Sequence, residues 1–286
     1  MKARSLSCAC LFTVSTLLLA APALAVKPAG ANAQVAITPA VQAAVDGKSR
    51  TPANVARDAY RHPAQTLSFF GVQPGQAVIE ITPGGGWYSE ILAPLLHDKG
   101  HYIAAVVDPM AVPEGRARDY QARGKSGLEK KFADTPALYG KARVVGFDPA
   151  APQFGADGSV DTVLTFRNVH NWRTADQAEG MFKGFYRVLK PGGVLGVVEH
   201  RAKADVPAND KSGYVGQAQV IAMAKAAGFE LAGSSEINAN PRDTKDYPNG
   251  VWTLPPSNNH DAADEARYKA IGESDRMTLR FIKPAK

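Results

Sequence analysis

From Gly71 onward, short apolar runs alternate with stretches of helical spacing, and a parallel α/β sheet is the fold that satisfies this alternation. The runs at 77–81 (AVIEI), 102–107 (YIAAVV), 142–147 (ARVVGF), 160–166 (VDTVLTF) and 194–199 (VLGVVE) are nearly continuous in apolar character, as strands buried on both faces are. Between them, 87–96, 111–123 and 174–189 carry helical periodicity, the last closed by Lys190-Pro191-Gly192-Gly193. A further helix at 215–227 ends at Gly228, followed by a sixth strand at 230–237 and a seventh at 277–282. Right-handed crossovers between parallel strands make such a sheet doubly wound. No crossover helix is visible before the seventh segment, so that last strand is expected to run antiparallel beside its neighbour. Residues 238–276, rich in Asn, Pro and Asp, read as an insertion near the carboxyl edge of the sheet.

The first 25 residues have a different character. Lys2 and Arg4 precede a short apolar run at 11–20 (LFTVSTLLLA), and Ala23-Leu24-Ala25 supplies small residues at a cleavage site. This pattern is a secretory signal peptide cut after Ala25. The run is shorter than the roughly 20 residues that a spanning helix needs, so no membrane span is expected after cleavage. The mature chain is expected outside the cytoplasm, periplasmic or secreted. Cys8 and Cys10 both lie in the leader, so the mature chain can form no disulfide and use no thiol chemistry. Residues 26–50, rich in Ala, Val and Pro, read as a flexible arm, a tether or a loosely docked segment. The stretch 51–70 (TPANVARDAYRHPAQTLSFF) opens the domain 51–286 as two short helices broken at Pro63. Without Lys2 and Arg4 the chain holds 31 basic and 27 acidic residues, a net charge of +4. The charges are scattered with no basic helix face, so a small molecule and not a nucleic acid is the expected partner.

Ligands of open α/β sheets bind beyond the carboxyl ends of the strands. At the first strand end stands Glu80-Ile81-Thr82-Pro83-Gly84-Gly85-Gly86, whose glycines let the backbone bend and approach a ligand closely. Asp108 ends the second strand and is suited to accept hydrogen bonds from both hydroxyls of a ribose. Asp148 ends the third and is suited to accept from an adenine amino group. The plainer role for either aspartate is to cap the turn that follows, since each precedes a proline.

The order of Glu80 to Gly86, Asp108, Asp148, the fourth strand and Leu189-Lys190-Pro191-Gly192-Gly193 resembles the class I S-adenosylmethionine-dependent methyltransferases, as does the helix ending in Ala227-Gly228-Phe229. More narrowly, Pro83-Gly84-Gly85-Gly86-Trp87-Tyr88, Arg167-Asn168-Val169-His170-Asn171-Trp172 and Glu199-His200-Arg201-Ala202 resemble an exported bacterial group of predicted methyltransferases. The resemblance covers about residues 55 to 284. It implies a Rossmann-like, seven-stranded sheet and S-adenosylmethionine as cofactor. It places Glu80 near the methionine ammonium, Gly84 and Gly86 beneath the methionine and ribose, Asp108 at the ribose and Asp148 near the adenine. Arg167 and Asn168 would line the floor of the pocket. Thr82 stands where such enzymes usually have glycine, so its side chain either narrows the pocket or adds a hydrogen bond.

Methyl transfer is a displacement at carbon that needs alignment, and a base where the acceptor carries a proton. His170 and His200 follow the fourth and fifth strands and face one cleft, so either can serve as that base. Tyr214 is placed to orient the acceptor. The plainer role for each histidine is a structural hydrogen bond. Trp87, Tyr88 and Trp172 suit either stacking on an aromatic acceptor or core packing. Convergence of His170, His200, Glu199 and Asp148 on a metal is a further reading, but no close ligand spacing such as H-x-x-x-H occurs, so no metal is expected. Two readings of function follow. One is methyl transfer from S-adenosylmethionine to a small-molecule acceptor. The other is an exported binding module that retains the fold without the chemistry. The joint presence of Glu80, the glycines and Asp108 favours the first. A nicotinamide enzyme is disfavoured because the loop lacks G-x-G-x-x-G spacing.

Overall fold

The computed structural model describes Met1 and residues 36–285, so the expected signal peptide beyond Met1, its cleavage site and the first part of the arm lie outside the described residues. Seven strands form one sheet: β1 (Ala77–Ile81), β2 (His101–Val107), β3 (Arg143–Phe147), β4 (Val160–Phe166), β5 (Leu189–His200), β6 (Glu230–Ser235) and β7 (Arg276–Ile282). Their spatial order is β3-β2-β1-β4-β5-β7-β6. Strands β1 to β5 pair in parallel, whereas β7 runs antiparallel to both β5 and β6. This is the expected doubly wound sheet with an antiparallel last strand. The order reverses between β1 and β4, which opens a crevice beyond their carboxyl ends.

The helices, in chain order, are α1 (Pro39–Val45), α2 (Pro52–Val55), α3 (Asp58–Arg61), α4 (Pro63–Phe70), α5 (Ser89–Leu96), α6 (Arg116–Asp134), α7 (Pro136–Tyr139), α8 (Val169–Thr174), α9 (Ala178–Val188), α10 (Gln217–Ala226) and α11 (Glu265–Ile271). They cover the sheet on two faces, and the period-2 alternation of the strands sorts residues between them. Ile79, Ile81 and Val163 meet Phe182 and Phe185 of α9 and Val220 of α10. Val78 and Leu164 meet Leu67 and Phe70 of α4 and Ile91 and Leu92 of α5. Glu80 shares the face of Val78, so a carboxyl group enters an otherwise apolar layer.

Several local expectations need correction. The described part of the presumed flexible arm is docked: Val41 of α1 is fully buried in the α4/α5 layer. Arg50 holds Asp58 through two bonds of 2.6 and 2.8 Å, and the Thr51 hydroxyl donates to Glu90 at 2.6 Å. The helix expected at 111–123 begins only at Arg116 and runs to Asp134, because Pro113 and Gly115 break the chain before it. The helix expected at 174–189 begins only at Ala178, as α9, after Asp176, which is left-handed at φ 54°. Lys190 to Gly193 does not end at a free turn. It is the bulged start of β5, where the register to β4 jumps from Val160↔Leu189 to Thr162↔Val194. The insertion holds a helix of its own, α11, where only loop was expected. No described helix is long and apolar enough to cross a membrane.

Candidate active site

A cavity of about 590 Å³ opens beyond the tips of β1, β4 and β5, within the size range of small-molecule sites. Its floor comes from the strand tips. Its walls come from α3, through Arg61, and from the insertion, through Val251, Trp252 and Pro255.

The β1 tip carries Glu80, which is 2% exposed and accepts a 2.6 Å hydrogen bond from the Tyr102 hydroxyl. Burial pushes this carboxyl up to about 7, against the pull of the Tyr102 bond and of the Arg61 charge. Thr82 lines the cavity in the left-handed region, at φ 51°, with its N–H held by Ala105 O at 2.7 Å. That backbone geometry is a physical reason for the glycine usual at this point: a β-branched residue there stores about 1–3 kcal/mol of strain. Gly84, at φ 60°, faces open space, for a Cβ built on it meets nothing within 4 Å. Gly86 departs from its expected role. It is absent from the cavity lining, and a Cβ there would lie 3.1 Å from both Leu128 and Ser89, so it serves the turn by letting α5 and α6 close on it.

Asp108 and Asp148 stand at the tips of β2 and β3, and each caps the turn that follows it. Asp108 Oδ1 accepts from Met110 N at 2.9 Å, and Asp148 Oδ1 accepts from Ala150 N at 2.8 Å. Their chain neighbours Val107 and Pro149 line the cavity, whereas neither aspartate is among its lining residues. At the β4 tip, Asn168 ties two strands together: its amide donates to Ile81 O at 3.0 Å and to Thr165 Oγ1 at 3.1 Å. Arg167 is left-handed at φ 64° and places its guanidinium against the cavity.

The β5 tip brings His170, Glu199 and His200 together. Glu199 is fully buried. Its Oε2 accepts from Val169 N at 2.6 Å and His170 N at 3.3 Å, and its Oε1 from His170 Nδ1 at 3.1 Å and His200 N at 2.8 Å. A carboxylate cannot donate, so His170 carries its proton on Nδ1 and, when neutral, keeps Nε2 as an acceptor. His200 is held by Ser274, with Nδ1 and Oγ 2.6 Å apart. Burial first, then the positive charges of His170, Arg167 and Arg276, holds the His200 imidazole well below its usual range, so it stays neutral. Ligand atoms of His170, Glu199 and His200 lie within 4.8 Å of one another, so three of the four residues considered for a metal converge and Asp148 is not among them. Glu199 already accepts four N–H groups, from Val169, His170 and His200.

Tyr214 is a correction. It is 3% exposed, lies off the cavity, and donates to both oxygens of Asp243, at 2.9 and 3.0 Å. It anchors the insertion and does not face an acceptor. Conversely, Arg61, Glu273 and Ser274 line the cavity although the sequence pointed to none of them. The available signal was Arg61, a charged residue on the apolar-spaced stretch 51–70.

Comparison with known proteins agrees with this architecture. The family model described as a methyltransferase domain matches residues 79–197. A ubiquinone/menaquinone biosynthesis C-methyltransferase of Legionella pneumophila is 28% identical over 134 residues, 47% of this chain and 46% of that protein. A sterol 24-C-methyltransferase of Gibberella zeae is 28% identical over 216 residues, 68% of this chain and 49% of that protein. The chain thus spans about half the length of the curated relatives it matches. The crystal structure of a SAM-dependent methyltransferase from Aquifex aeolicus superposes with a TM-score of 0.54 at 15% identity, covering 84% of this chain and 96% of that one. The fold is the Rossmann-like fold of methyltransferases.

Proposed function

We propose that this chain binds S-adenosylmethionine in the cavity and transfers its methyl group to a small-molecule acceptor that gives up a proton. The observation that carries this reading is the Glu199–His170 pair opening on the same cavity as Glu80 and Gly84. The chain's residues fit the cofactor. Glu80 offers a buried carboxylate that forms no ion pair within 4.0 Å among the described residues, and the space over Gly84 is clear. When bound, the cofactor supplies an electrophilic methyl on a sulfonium. Glu80 would hold the ammonium, and its ionisation is favoured by that charge. His170 Nε2 would take the acceptor's proton as the acceptor's electron pair closes on the methyl carbon and the carbon–sulfur pair leaves with sulfur. Glu199 holds the ring in the tautomer that can do so, which makes it a positioning group. Relatives named as C-methyltransferases favour a carbon nucleophile activated by that loss of a proton.

Calorimetric titration of the mature chain with S-adenosylmethionine tests the reading, followed by Asp108→Ala. No heat at high micromolar ligand removes it, and binding unchanged in Asp108→Ala removes the ribose assignment. The leader at 1–25 supports a second reading, an exported module that binds and does not turn over. Transfer of label from methyl-labelled cofactor to a metabolite extract separates the two. We also infer that the mature chain works outside the cytoplasm. Recovery of a product retaining residues 1–25 from the cytosolic fraction would contradict that.

A further inference from the structure

One wall of the cavity carries positive charge that the proposed chemistry does not use. Glu273, 4% exposed, is shared by three guanidinium groups: Arg57 Nε at 2.7 Å, Arg61 Nε at 3.2 Å and Arg276 Nη2 at 3.0 Å. Arg61 is itself 3% exposed, lies with its Cζ 4.7 Å from the centroid of the Trp87 ring, and has a buried Nη2 without a hydrogen-bond partner. Across the floor, Arg167 forms no ion pair among the described residues. Of the other nearby carboxyl groups, Glu199 is already engaged by N–H groups and Glu80 by the Tyr102 hydroxyl. Three guanidinium groups therefore hold Glu273, and two arginines, Arg61 from among these and Arg167 as a fourth, line the cavity. Arg61 keeps a buried Nη2 that Glu273 does not engage, and Arg167 adds a half-buried charge that no carboxylate of the described residues meets within 4.0 Å, so this wall is complementary to an anion.

The groups register the strain electrostatically. Burial and the neighbouring arginines lower Arg61 to about 9 and Arg167 to about 10, while Glu273 is held at about 2 against its own burial. Aromatic rings also line the cavity: Tyr88 stacks on Phe166 at 3.7 Å between ring centroids, and Trp252 stands edge-on to His170 at 5.9 Å.

We propose that the methyl acceptor is an anionic compound whose carboxylate or phosphate is received by Arg167 and Arg61, on a flat apolar body held among the aromatic rings. This rests on the methyl-transfer reading and adds the substrate class to it. The cofactor brings a carboxylate of its own, so the test must be made with that carboxylate in place. The protein is loaded with S-adenosylhomocysteine, and benzoate, phenyl phosphate and neutral benzamide are titrated by calorimetry. Benzoate or phenyl phosphate should bind at least tenfold more tightly than benzamide, and the tighter of the two identifies the anion. Arg167→Gln should erase the preference, and Arg167→Lys, which keeps the charge, should retain part of it; melting curves establish that both variants are folded. Equal binding of charged and neutral probes, or no binding of any, overturns the proposal. So does a preference seen only before S-adenosylhomocysteine is added, since the guanidinium groups then serve the cofactor. If S-adenosylhomocysteine itself does not bind, the methyl-transfer reading fails, and the ratio of benzoate to benzamide on the free protein still decides whether this wall selects anions.

Discussion

The two sides of the cavity are built by different means. The floor, at the tips of β1, β2 and β4, is made by the backbone: a bend at Gly84, left-handed residues at Thr82 and Arg167, and an aspartate cap after β2. The walls are made by side chains that reach across the chain, as in the ion pair of Arg57 and Glu273, 216 residues apart. A backbone device needs a few adjacent residues of fixed type and resists substitution of one side chain. A side-chain device depends on every partner being present. The floor should therefore tolerate mutation structurally and fail chemically, while the walls should fail structurally.

The sharpest way to break this contrast is to remove the base that hangs between the two sides. His170→Ala is expected to slow methyl transfer by about 10²–10⁴-fold while leaving cofactor affinity near its original value. Single-turnover rates beside calorimetry will show whether the loss is confined to chemistry. Next in size is Glu273→Gln, which strands Arg57, Arg61 and Arg276 without their shared carboxylate. Breaking a buried ion pair from one side costs about 3–5 kcal/mol, read in urea unfolding. Unaltered stability would mean that the wall is not held by charge.

A third test uses pH. The Glu80 carboxyl lies at about 7, above its ordinary 4.5, so the folded chain binds a proton there that the unfolded chain has lost. Its contribution to stability is thus present below about 4.5 and declines as pH rises toward 7. Cofactor affinity should move the other way, since the ammonium needs the ionised form. It should fall by up to about tenfold per pH unit below 7 and level off above it. Tyr102, Ser89 and Arg61 face the same carboxyl, and none of them is expected to titrate in this range. Glu80→Gln should flatten the profile. The smallest expected effect is that of Thr82→Gly. Relief of a left-handed β-branched residue should raise stability by about 1 kcal/mol, less the entropy that glycine adds to the unfolded chain. A loss of stability would show that the Thr82 side chain holds the bend.

The same contrast explains what could be read from the sequence. Strand β4 and strand β1 lie where their apolar runs lie, because burial on both faces writes itself into consecutive residues. The seventh strand was found by its run, and its direction by the missing crossover. The histidines at the ends of β4 and β5 were located by position alone. The walls left no such trace. Nothing near Arg61 names Glu273, and nothing near Tyr214 names Asp243, whose carboxylate it holds. The docking of the arm leaves little trace for a related reason: α1 docks through Val41 with Ala44 and Val45 beside it, and the segment after it through Arg50 and Thr51, whose partners Asp58 and Glu90 lie further along. Glycine and proline also misled at 190–193, where the tight chemistry of a turn serves a bulge in a strand.

The placement of β7 between β5 and β6 has a further implication for assembly. Strand β6 touches no other strand, so it waits unpaired until a segment some forty residues later arrives to bridge it to the sheet. A chain halted between Ser235 and Arg276 would present the open edge of β5 and a loose β6 together, a template for joining other copies. Incomplete synthesis of this protein would therefore yield a sticky fragment and not a smaller working one.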